Sequence, residues 1–315
     1  MKAFGINQYG SSGVLEEFTL DVPSIGAHEI LVKTKAFAVN PLDVAIREGR
    51  FNSSVLLLFP TILGTDAVGT IIKVGAKVEN YHVGDEIIAH AGYGTYAEYF
   101  CVSPEHIGIR PKQYDVYEAA GLPLSGITAY NVLIHLAQAR AGQKIVIFGA
   151  SGGVGSMVVQ MAKAYGLSVI GIDRIINKAY VLSIGAYKFV DMDNTEEMST
   201  LKDTADIIID ATNHGLRTDI GLSIVKRKGV YVSLTQLPTQ KENKKKVTLK
   251  VLVPQKKYLD RDAFAAISLM IRNKQLYTRI DKVLNFNLED IRKGQDYVAE
   301  GKHSGKVIVS LVDKK

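Results

Sequence analysis

The sequence predicts an α/β protein of two domains, and three observations support this fold class. The first part of the chain is rich in Val, Ile and Thr and has frequent Gly and Pro. From Lys144 onward, short apolar strands alternate with helix-length segments, and this rhythm changes again after about Leu259. Because 315 residues are long for a single domain, we expect a first part at 1–122, a middle part at 123–258 and a tail at 259–315.

The first part has the pattern of short strands broken by turns. Candidate strands lie at residues 29–39, 67–75, 84–90 and 95–102. Each is rich in β-branched and aromatic residues and is bounded by Gly, Pro or other turn residues. This pattern is typical of a mostly β domain.

The middle part has continuous apolar strands separated by helix-length gaps, as in a parallel sheet covered on both faces. The expected strands are residues 145–149, 168–173, 187–191, 205–210 and 229–234, with helices over 154–166 and 175–185. In the tail we expect helices at 262–275 and 288–301 and strands at 279–286 and 305–312. The tail is too short to be a domain, so we expect it to pack on the first part.

The most informative segment is a glycine-rich turn between a strand and an amphipathic helix. Glycines at 152 and 155 would let the backbone approach a pyrophosphate and let the helix pack closely on the strand, and amides at the helix start would hold the phosphates. Ala150 stands where the strict G-x-G-x-x-G pattern has its first glycine. The strand–turn–helix context favours dinucleotide binding over a plain tight turn. The expected cofactor contacts are Gly149, Ala150, Gly152, Gly153, Val154 and Gly155.

The choice of nicotinamide cofactor depends on the end of the next strand. Asp173 is in the place where an acidic residue normally binds the ribose hydroxyls of NAD. Arg174 and Lys178 lie close by in the sequence, and either could neutralise a 2′-phosphate or simply belong to a solvated helix face. NADP(H) is favoured and NAD(H) stays open. Thr128 is a further candidate for cofactor contact, with a polar residue near a helix start as the alternative.

Composition limits the compartment and the partners. The N-terminus lacks the features of a secretory signal, and the longest apolar stretch, 55–59, is too short to span a membrane. We therefore expect a cytoplasmic protein with no membrane partner. The single cysteine, Cys101, excludes an intramolecular disulfide and a four-cysteine zinc site. The net charge of +6 is scattered apart from the run at 241–246, which we interpret as a solvated turn, so no nucleic-acid partner is expected.

Several segments, in order, resemble the zinc-independent quinone oxidoreductase (zeta-crystallin-like) branch of the medium-chain dehydrogenase/reductase family. Asn40-Pro41-Leu42-Asp43 with Arg47 and Gly49 resembles the family's N-x-x-D-x-x-x-R-x-G element. The other matching segments are 63–87, 119–133, the cofactor loop GASGGVGSMVVQMAKAYG at 149–166, and the final strand at 301–311. The resemblance covers nearly the whole chain.

This resemblance implies a GroES-like β domain completed by the tail, an inserted Rossmann domain with a doubly wound parallel sheet, and an active site in the cleft between them. It implies hydride transfer from a reduced nicotinamide to a quinone or another conjugated carbonyl, and a homodimer. By position in the motif, Asn40 and Asp43 border the nicotinamide pocket and Arg47 orders that loop. The alternatives are a simple turn at Asn40 and a surface pair of Asp43 and Arg47 at i, i+4.

The chain also departs from relatives that use zinc. Where those have a Gly-His-Glu element near their catalytic metal, this sequence reads Gly64-Thr65-Asp66, and its seven histidines show no metal-ligand spacing. We expect no zinc, and hence reduction of an acceptor that needs no Lewis acid. Some relatives carry a Tyr at the position of Phe51, so no proton donor is expected there. Tyr93 and Tyr96 are interpreted as packing residues, with a role in lining a substrate cavity as the alternative.

Two other functions stay open from the sequence. One is an enoyl or alkenal reductase that acts on acyl chains, for which the rate would depend strongly on chain length. The other is a non-catalytic NADPH-binding protein with nucleic-acid affinity, which would bind RNA or DNA in a salt-sensitive manner and turn over no acceptor.

Overall fold

The computed structural model describes residues 1–50, 57–212, 218–238, 245–253, 255, 257–301 and 303–312. The position of Phe51 lies outside these ranges, as do residues 241–244 of the basic run, for which a solvated turn is predicted. The chain divides into two compact units. Unit 1 comprises Met1–Leu124, Asp260–Ser268 and Thr278–Lys315, and unit 2 comprises Ser125–Leu259 and Leu269–Tyr277.

Unit 1 is mostly β structure. Its strands are β1 (Lys2–Ile6), β2 (Leu15–Thr19), β3 (Ile30–Val39), β4 (Thr61–Ile62), β5 (Asp66–Val74), β6 (Glu86–His90), β7 (Tyr99–Val102), β8 (Ile107–Ile109), β15 (Ile280–Asn285) and β16 (Lys306–Ser310). Its helices are α1 (Pro41–Arg47), α2 (Val116–Ala120) and α9 (Leu288–Ala299). Two further helices, α3 (Pro123–Tyr130) and α8 (Asp260–Arg272), contain residues of both units.

The strands of unit 1 form a three-stranded sheet and a seven-stranded sheet. The smaller sheet has the order β2-β1-β4. The larger has the order β15-β16-β3-β5-β6-β8, and β7 pairs with the first half of β3. Because β16 pairs with the second half of β3, the tail of the chain contributes strands to the sheet formed by the first part, and both share one apolar core.

Unit 2 is built on a six-stranded parallel sheet. Its strands are β9 (Lys144–Phe148), β10 (Ser168–Asp173), β11 (Lys188–Asp191), β12 (Ala205–Asp210), β13 (Val225–Ser233) and β14 (Thr248–Val251). The helices between them are α4 (Gly153–Ala164), α5 (Lys178–Ser183), α6 (Thr195–Ser199) and α7 (Thr218–Ile224). The strand order β11-β10-β9-β12-β13-β14 reverses direction at β9, as in the doubly wound dinucleotide-binding fold. The predicted α/β class, with a GroES-like and a Rossmann part, is confirmed.

Three local details differ from the expectation. The helix predicted at 175–185 begins as a 3₁₀ turn at Ile175–Asn177 and becomes α-helical only from Lys178. Strand β13 begins four residues before the predicted position 229, because Val225 already pairs with Ala205 ahead of a register shift. A π-helical segment, Asn131–Leu136, follows α3, and nothing in the local sequence pattern predicts it.

We predict that Phe37→Ala lowers the free energy of unfolding by about 3–5 kcal/mol. Phe37 is fully buried in the core of unit 1 and stacks on Tyr96, with ring centroids 4.4 Å apart. Removing its ring leaves a cavity and also removes this aromatic contact. Thermal and denaturant unfolding followed by circular dichroism measure the effect. Val83→Ala, at an exposed position, is the control and should change stability by less than about 0.5 kcal/mol; equal effects of the two substitutions would contradict the prediction.

Candidate functional site

The glycine turn of unit 2 leads directly from β9 into α4. Gly149 has a positive φ of 71°, which favours glycine. A Cβ atom at Gly155 would lie 2.0 Å from the carbonyl oxygen of Gly149, so the first turn of the helix can pack on the loop only with glycine at this position. At Gly152 a Cβ atom would meet only that same oxygen, at 3.3 Å. Gly152 is the least obstructed of these three positions, and glycine there lets a ligand approach the backbone closely.

The start of α4 has backbone donors that the helix itself cannot use. The first intrahelical bond runs from the amide of Ser156 to the carbonyl of Gly152, over 2.9 Å. The amides of Gly153, Val154 and Gly155 therefore have no carbonyl partner within the helix. Gly152 is the N-cap residue of this 12-residue helix, and glycine has no side chain that could accept hydrogen bonds from these amides. The positive end of the helix dipole and three amides without intrahelical partners, beside a glycine turn, fit a pyrophosphate group.

Asp173, at the end of β10, holds the loop in place. Its buried carboxylate accepts hydrogen bonds from the backbone amides of Ser151 and Arg174 and from the side-chain amide of Asn177, each 2.8 Å long. Three of its roughly four acceptor positions are thus engaged within the protein. Arg174 and Lys178 are exposed, whereas Thr128 in α3 is buried.

In unit 1, Asn40 is fully engaged by protein groups. It lies directly before α1, and its side-chain amide donates to the hydroxyl of Thr65 at 3.2 Å and to the carboxylate of Asp66 at 3.1 Å. The ammonium group of Lys306 donates to its side-chain oxygen. Asn40 is therefore more than a simple turn residue, because its buried side chain joins α1, the start of β5 and the start of β16.

Asp66 is the centre of this polar cluster. Its side chain is fully buried, and its two oxygens accept from the backbone amide of Leu124 at 3.0 and 3.1 Å. One oxygen also accepts from Asn40, and the other lies 3.2 Å from Nδ1 of His90. The carboxylate of Asp66 is thereby satisfied on all sides.

Asp43 is the most perturbed acid of the site. One carboxylate oxygen accepts from the backbone amide of Asn40 at 2.8 Å and from the hydroxyl of Tyr96 at 3.0 Å, while the other has no hydrogen-bond partner among the described residues. Burial raises the pKa of Asp43 to about 7 with help from the charge of Asp66, although its hydrogen bonds with Asn40 and Tyr96 and the nearby hydroxyl of Thr65 act in the opposite direction.

The burial of Arg47 contradicts the alternative in which Asp43 and Arg47 form a solvent-exposed pair on the helix surface. Its side chain is only 2% exposed, and its guanidinium donates to Glu48 at 2.9 Å. Two other nitrogens of this guanidinium, Nε and Nη1, have no hydrogen-bond partner within the described ranges. Tyr96 is buried and packed, as expected, and it receives a hydrogen bond from Gln295 at 3.3 Å. Tyr93 is partly exposed.

Sequence reasoning missed two members of the cluster, His90 and Lys306. Burial lowers the pKa of His90, but the hydrogen bond and charge of Asp66, together with the charges of Asp260 and Asp43, raise it above its usual value. Burial lowers the pKa of Lys306, and the charges of Asp66 and Asp43 oppose this. Strand register is the signal that could have found His90, because His90 pairs with Asp66 across β6 and β5.

The donor set near Asp66 does not fit a zinc ion. Within the described ranges, no group of three or more His, Cys, Asp or Glu side chains is placed to hold a metal. The carboxylate of Asp66 is already bound by backbone and side-chain donors, and its neighbours Thr65 and Asn40 are poor zinc ligands. A search of the same ranges for membrane-crossing helices gave none of sufficient length and apolarity.

Comparisons with known proteins agree with both units. The family model described as alcohol dehydrogenase GroES-like domain matches residues 26–112, and the model described as zinc-binding dehydrogenase matches residues 153–262. An NADPH-dependent alkenal/one oxidoreductase, chloroplastic, of Arabidopsis thaliana is 34% identical over 247 residues, which are 75% of this chain and 62% of that relative. The match thus spans less than two thirds of that relative's length.

Two further matches extend over the whole chain. A chloroplast envelope quinone oxidoreductase homolog of Arabidopsis thaliana is 30% identical over 329 residues, with 98% of each chain covered. The solved structure of the quinone oxidoreductase from Coxiella burnetii has a TM-score of 0.85 and 25% identity and covers 99% of each chain.

We predict that, relative to Asp43→Asn, the wild-type protein loses stability as the pH rises from about 4 to about 7. In this window the unfolded chain has released the proton of Asp43, whose usual pKa is 3.8, while the folded protein keeps it up to about 7. Folding therefore becomes less favourable as pH rises, by about 1.4 kcal/mol for each pH unit between the two pKa values. Unfolding temperatures at several pH values measure the effect.

Asp21→Asn, at an exposed position of unit 1, is the control for that measurement and should show the same pH dependence as the wild type. Parallel pH curves for the wild type and Asp43→Asn would contradict the assignment of a neutral carboxyl to Asp43.

Proposed function

We propose that this chain, which belongs to the quinone oxidoreductase branch of the medium-chain dehydrogenase/reductase family, is an NADPH-dependent reductase of quinones or other conjugated carbonyls. The observation that carries the proposal is the glycine turn of unit 2, followed at the start of α4 by three amides that have no partner within the helix. The relatives support the choice of acceptor, since one is named for quinones and another for alkenals and alkenones.

The residues of unit 2 supply the binding of the cofactor. The amides of Gly153, Val154 and Gly155 hold the pyrophosphate, and Gly149, Ala150 and Gly152 keep the turn open for it. Thr128 is a further proposed contact. Bound NADPH supplies the hydride, and the protein's task is to hold the acceptor and to stabilise the negative charge that develops on its oxygen.

The arrangement around Asp173 supports NADPH over NADH. Because Asp173 is largely engaged in holding Ser151, Arg174 and Asn177, its carboxylate has little capacity left for the two ribose hydroxyls of NADH. Arg174 and Lys178 extend from the same turn into solvent, and their positive charges suit a 2′-phosphate. The NADPH-dependent relative points the same way.

In unit 1, we propose that Asn40 and Asp43 form the buried side of a rigid polar wall that borders the nicotinamide pocket, and that Arg47 orders this loop. The hydrogen bonds of Asn40 are all used within the protein, so its role is to fix the wall. A conjugated carbonyl needs no metal ion for its reduction, since the incoming charge spreads onto its oxygen, and this agrees with the poor fit of zinc at Asp66.

Other parts of the proposal rest on the sequence and on the family resemblance. We propose that 1–122 and 259–315 form a catalytic domain, apart from Leu269–Tyr277, which belong to unit 2, and that 123–258 form the cofactor domain. We also propose that the protein is a cytoplasmic homodimer without membrane or nucleic-acid partners. Light scattering tests the homodimer, and the location of a tagged chain in cells tests the cytoplasmic compartment.

A reduction of alkenals is the second candidate, and the relative named for alkenals and alkenones favours it. Steady-state rates with 1,4-benzoquinone and with 2-alkenals of increasing length separate the two. A strong rise with chain length would favour alkenals as the natural class, whereas a preference for the quinone without such a rise supports the main proposal.

The first test of the function is a fluorescence titration of the purified protein with NADPH, followed by addition of 1,4-benzoquinone. We expect tight binding and quinone-dependent loss of the absorbance of reduced nicotinamide. Gly155→Ala should abolish binding, because its Cβ atom meets the Gly149 carbonyl. Gly13→Ala, where a Cβ atom meets only the Ser11 hydroxyl at 3.5 Å, is the matched control. Absence of NADPH and NADH binding by the wild type would overturn the proposal.

We also predict that Arg174→Ala raises the Kd for NADPH about tenfold or more and leaves the Kd for NADH unchanged. Loss of a charge-assisted hydrogen bond to a phosphate typically costs about 1.5–3 kcal/mol, and NADH lacks that phosphate. Arg140→Ala removes another exposed charge of unit 2 and should change neither constant. An equal loss of affinity for both cofactors in Arg174→Ala would assign Arg174 to a general electrostatic role instead.

A further inference from the structure

His90 is an ionisable side chain of unit 1 to which neither the sequence motifs nor the family resemblance gives a role. It is the last residue of β6 and pairs in register with Asp66, the first residue of β5. Its Nδ1 lies 3.2 Å from a carboxylate oxygen of Asp66. Since Asp66 is itself fixed by Leu124 and Asn40, the imidazole ring has a defined orientation, and Nδ1 is the nitrogen that bears a proton toward the carboxylate.

The rest of the imidazole ring is partly exposed. The side chain of His90 is 21% exposed, whereas that of Asp66 is fully buried. Within the described part of the chain, Nε2 of His90 makes no hydrogen bond. A ring held at one nitrogen by a buried carboxylate and open at the other has the arrangement of an oriented acid or base.

The charges that face His90 are acidic. They are Asp66 on β5, Asp43 on α1 and Asp260 at the start of α8, and each of them raises the pKa of His90 against the effect of burial. Asp260 is also paired with His106 at 2.7 Å. The positive charge of Lys306, which donates to Asn40, interacts with the negative charges of Asp66 and Asp43. The imidazolium form of His90 therefore persists to higher pH than that of an ordinary histidine.

We propose that His90 is the general acid that delivers the proton in the proposed reduction, an inference that rests on the function proposed above. Reduction of an enone or quinone adds a hydride and a proton. The hydride forms a C–H bond, and the displaced π electrons move onto the carbonyl oxygen. The Nε2–H bond of His90 then breaks, its electron pair stays on nitrogen, and the proton passes to the oxygen or the neighbouring carbon. With a quinone, the hydrogen added to carbon then leaves as a proton to water while water protonates the second oxygen, which gives the aromatic hydroquinone. Water afterwards returns a proton to His90.

Other groups of the site are less suited to this step. Asp43 keeps a proton near neutral pH but is fully buried, so it cannot touch an acceptor without a rearrangement. Tyr96 is also buried, and its hydroxyl donates to Asp43. Phe51, at the position where some relatives carry a tyrosine, has no ionisable group. His90 combines partial exposure with a fixed ring and an exchangeable proton.

The test compares His90→Gln with the wild type in steady-state reduction of 1,4-benzoquinone and of an enone over a range of pH. We expect kcat for His90→Gln to fall about 10²-fold, as for loss of a general acid, with little change in the Kd for NADPH. In the wild type, kcat/KM should fall as the pH rises through the pKa of His90, and this alkaline limb should be absent in the variant. His82→Gln, which removes an exposed histidine near Asp85, is the control and should behave as the wild type.

A second measurement uses the cofactor-free protein. NMR of the histidine ring protons should show that His90 titrates above the usual 6.5 for histidine, that Asp66→Asn lowers this pKa, and that the product hydroquinone shifts the signals of His90 but not those of His82. An active wild type with an unchanged rate and pH limb in His90→Gln overturns the role of His90 alone. If the wild type binds NADPH but reduces neither quinones nor enones with it, the proposed function is overturned and this inference with it.

Discussion

The buried carboxylate of Asp66 is the constraint that organises the polar half of unit 1. A carboxylate without water is costly to bury unless hydrogen bonds replace its hydration. Asp66 obtains them from Leu124, Asn40 and His90, which lie in three different segments of the chain. Each of these groups is thereby fixed relative to β5. Asn40 can satisfy Asp66 only if its own oxygen has a donor, and Lys306 from the last strand supplies it. The cluster therefore links the first part of the chain with the tail through one buried charge.

Unit 2 uses an acidic side chain at a strand end in the same way. Asp173 accepts from Ser151 in the glycine turn and from Arg174 and Asn177 in the turn after its own strand. The glycine turn can then stay free of side chains and still keep one conformation, because the carboxylate supplies the stiffness that glycine lacks. This arrangement makes an acidic residue compatible with the proposed binding of NADPH. Its charge is directed into the protein, and the neighbouring Arg174 side chain is left in solvent.

The sequence predicts the fold well because the two units have different hydrophobic periods. Strand β12 has its predicted limits, and α4 begins within one residue of the prediction, since an apolar strand followed by glycines and an amphipathic helix is a local signal. The buried cluster is different. Asp43 and Arg47 have the spacing of a solvated helix pair, but long-range packing buries both. His90 and Lys306 reach the site through strand register, which depends on residues far apart in the chain. Local patterns do not contain that information.

Asp43 and His90 have complementary properties, and this has a consequence for the chemistry of the site. A general acid needs both a pKa near the working pH and contact with the atom that receives the proton. Asp43 meets the first condition through burial, and that same burial denies it the second. Its charge nevertheless acts on His90, because ionisation of Asp43 raises the pKa of the imidazole. As the pH rises toward 7 and Asp43 loses its proton, His90 holds its own more strongly. Interacting groups of this kind titrate as a unit, so the buried acid extends the pH range over which the partly exposed histidine carries a proton.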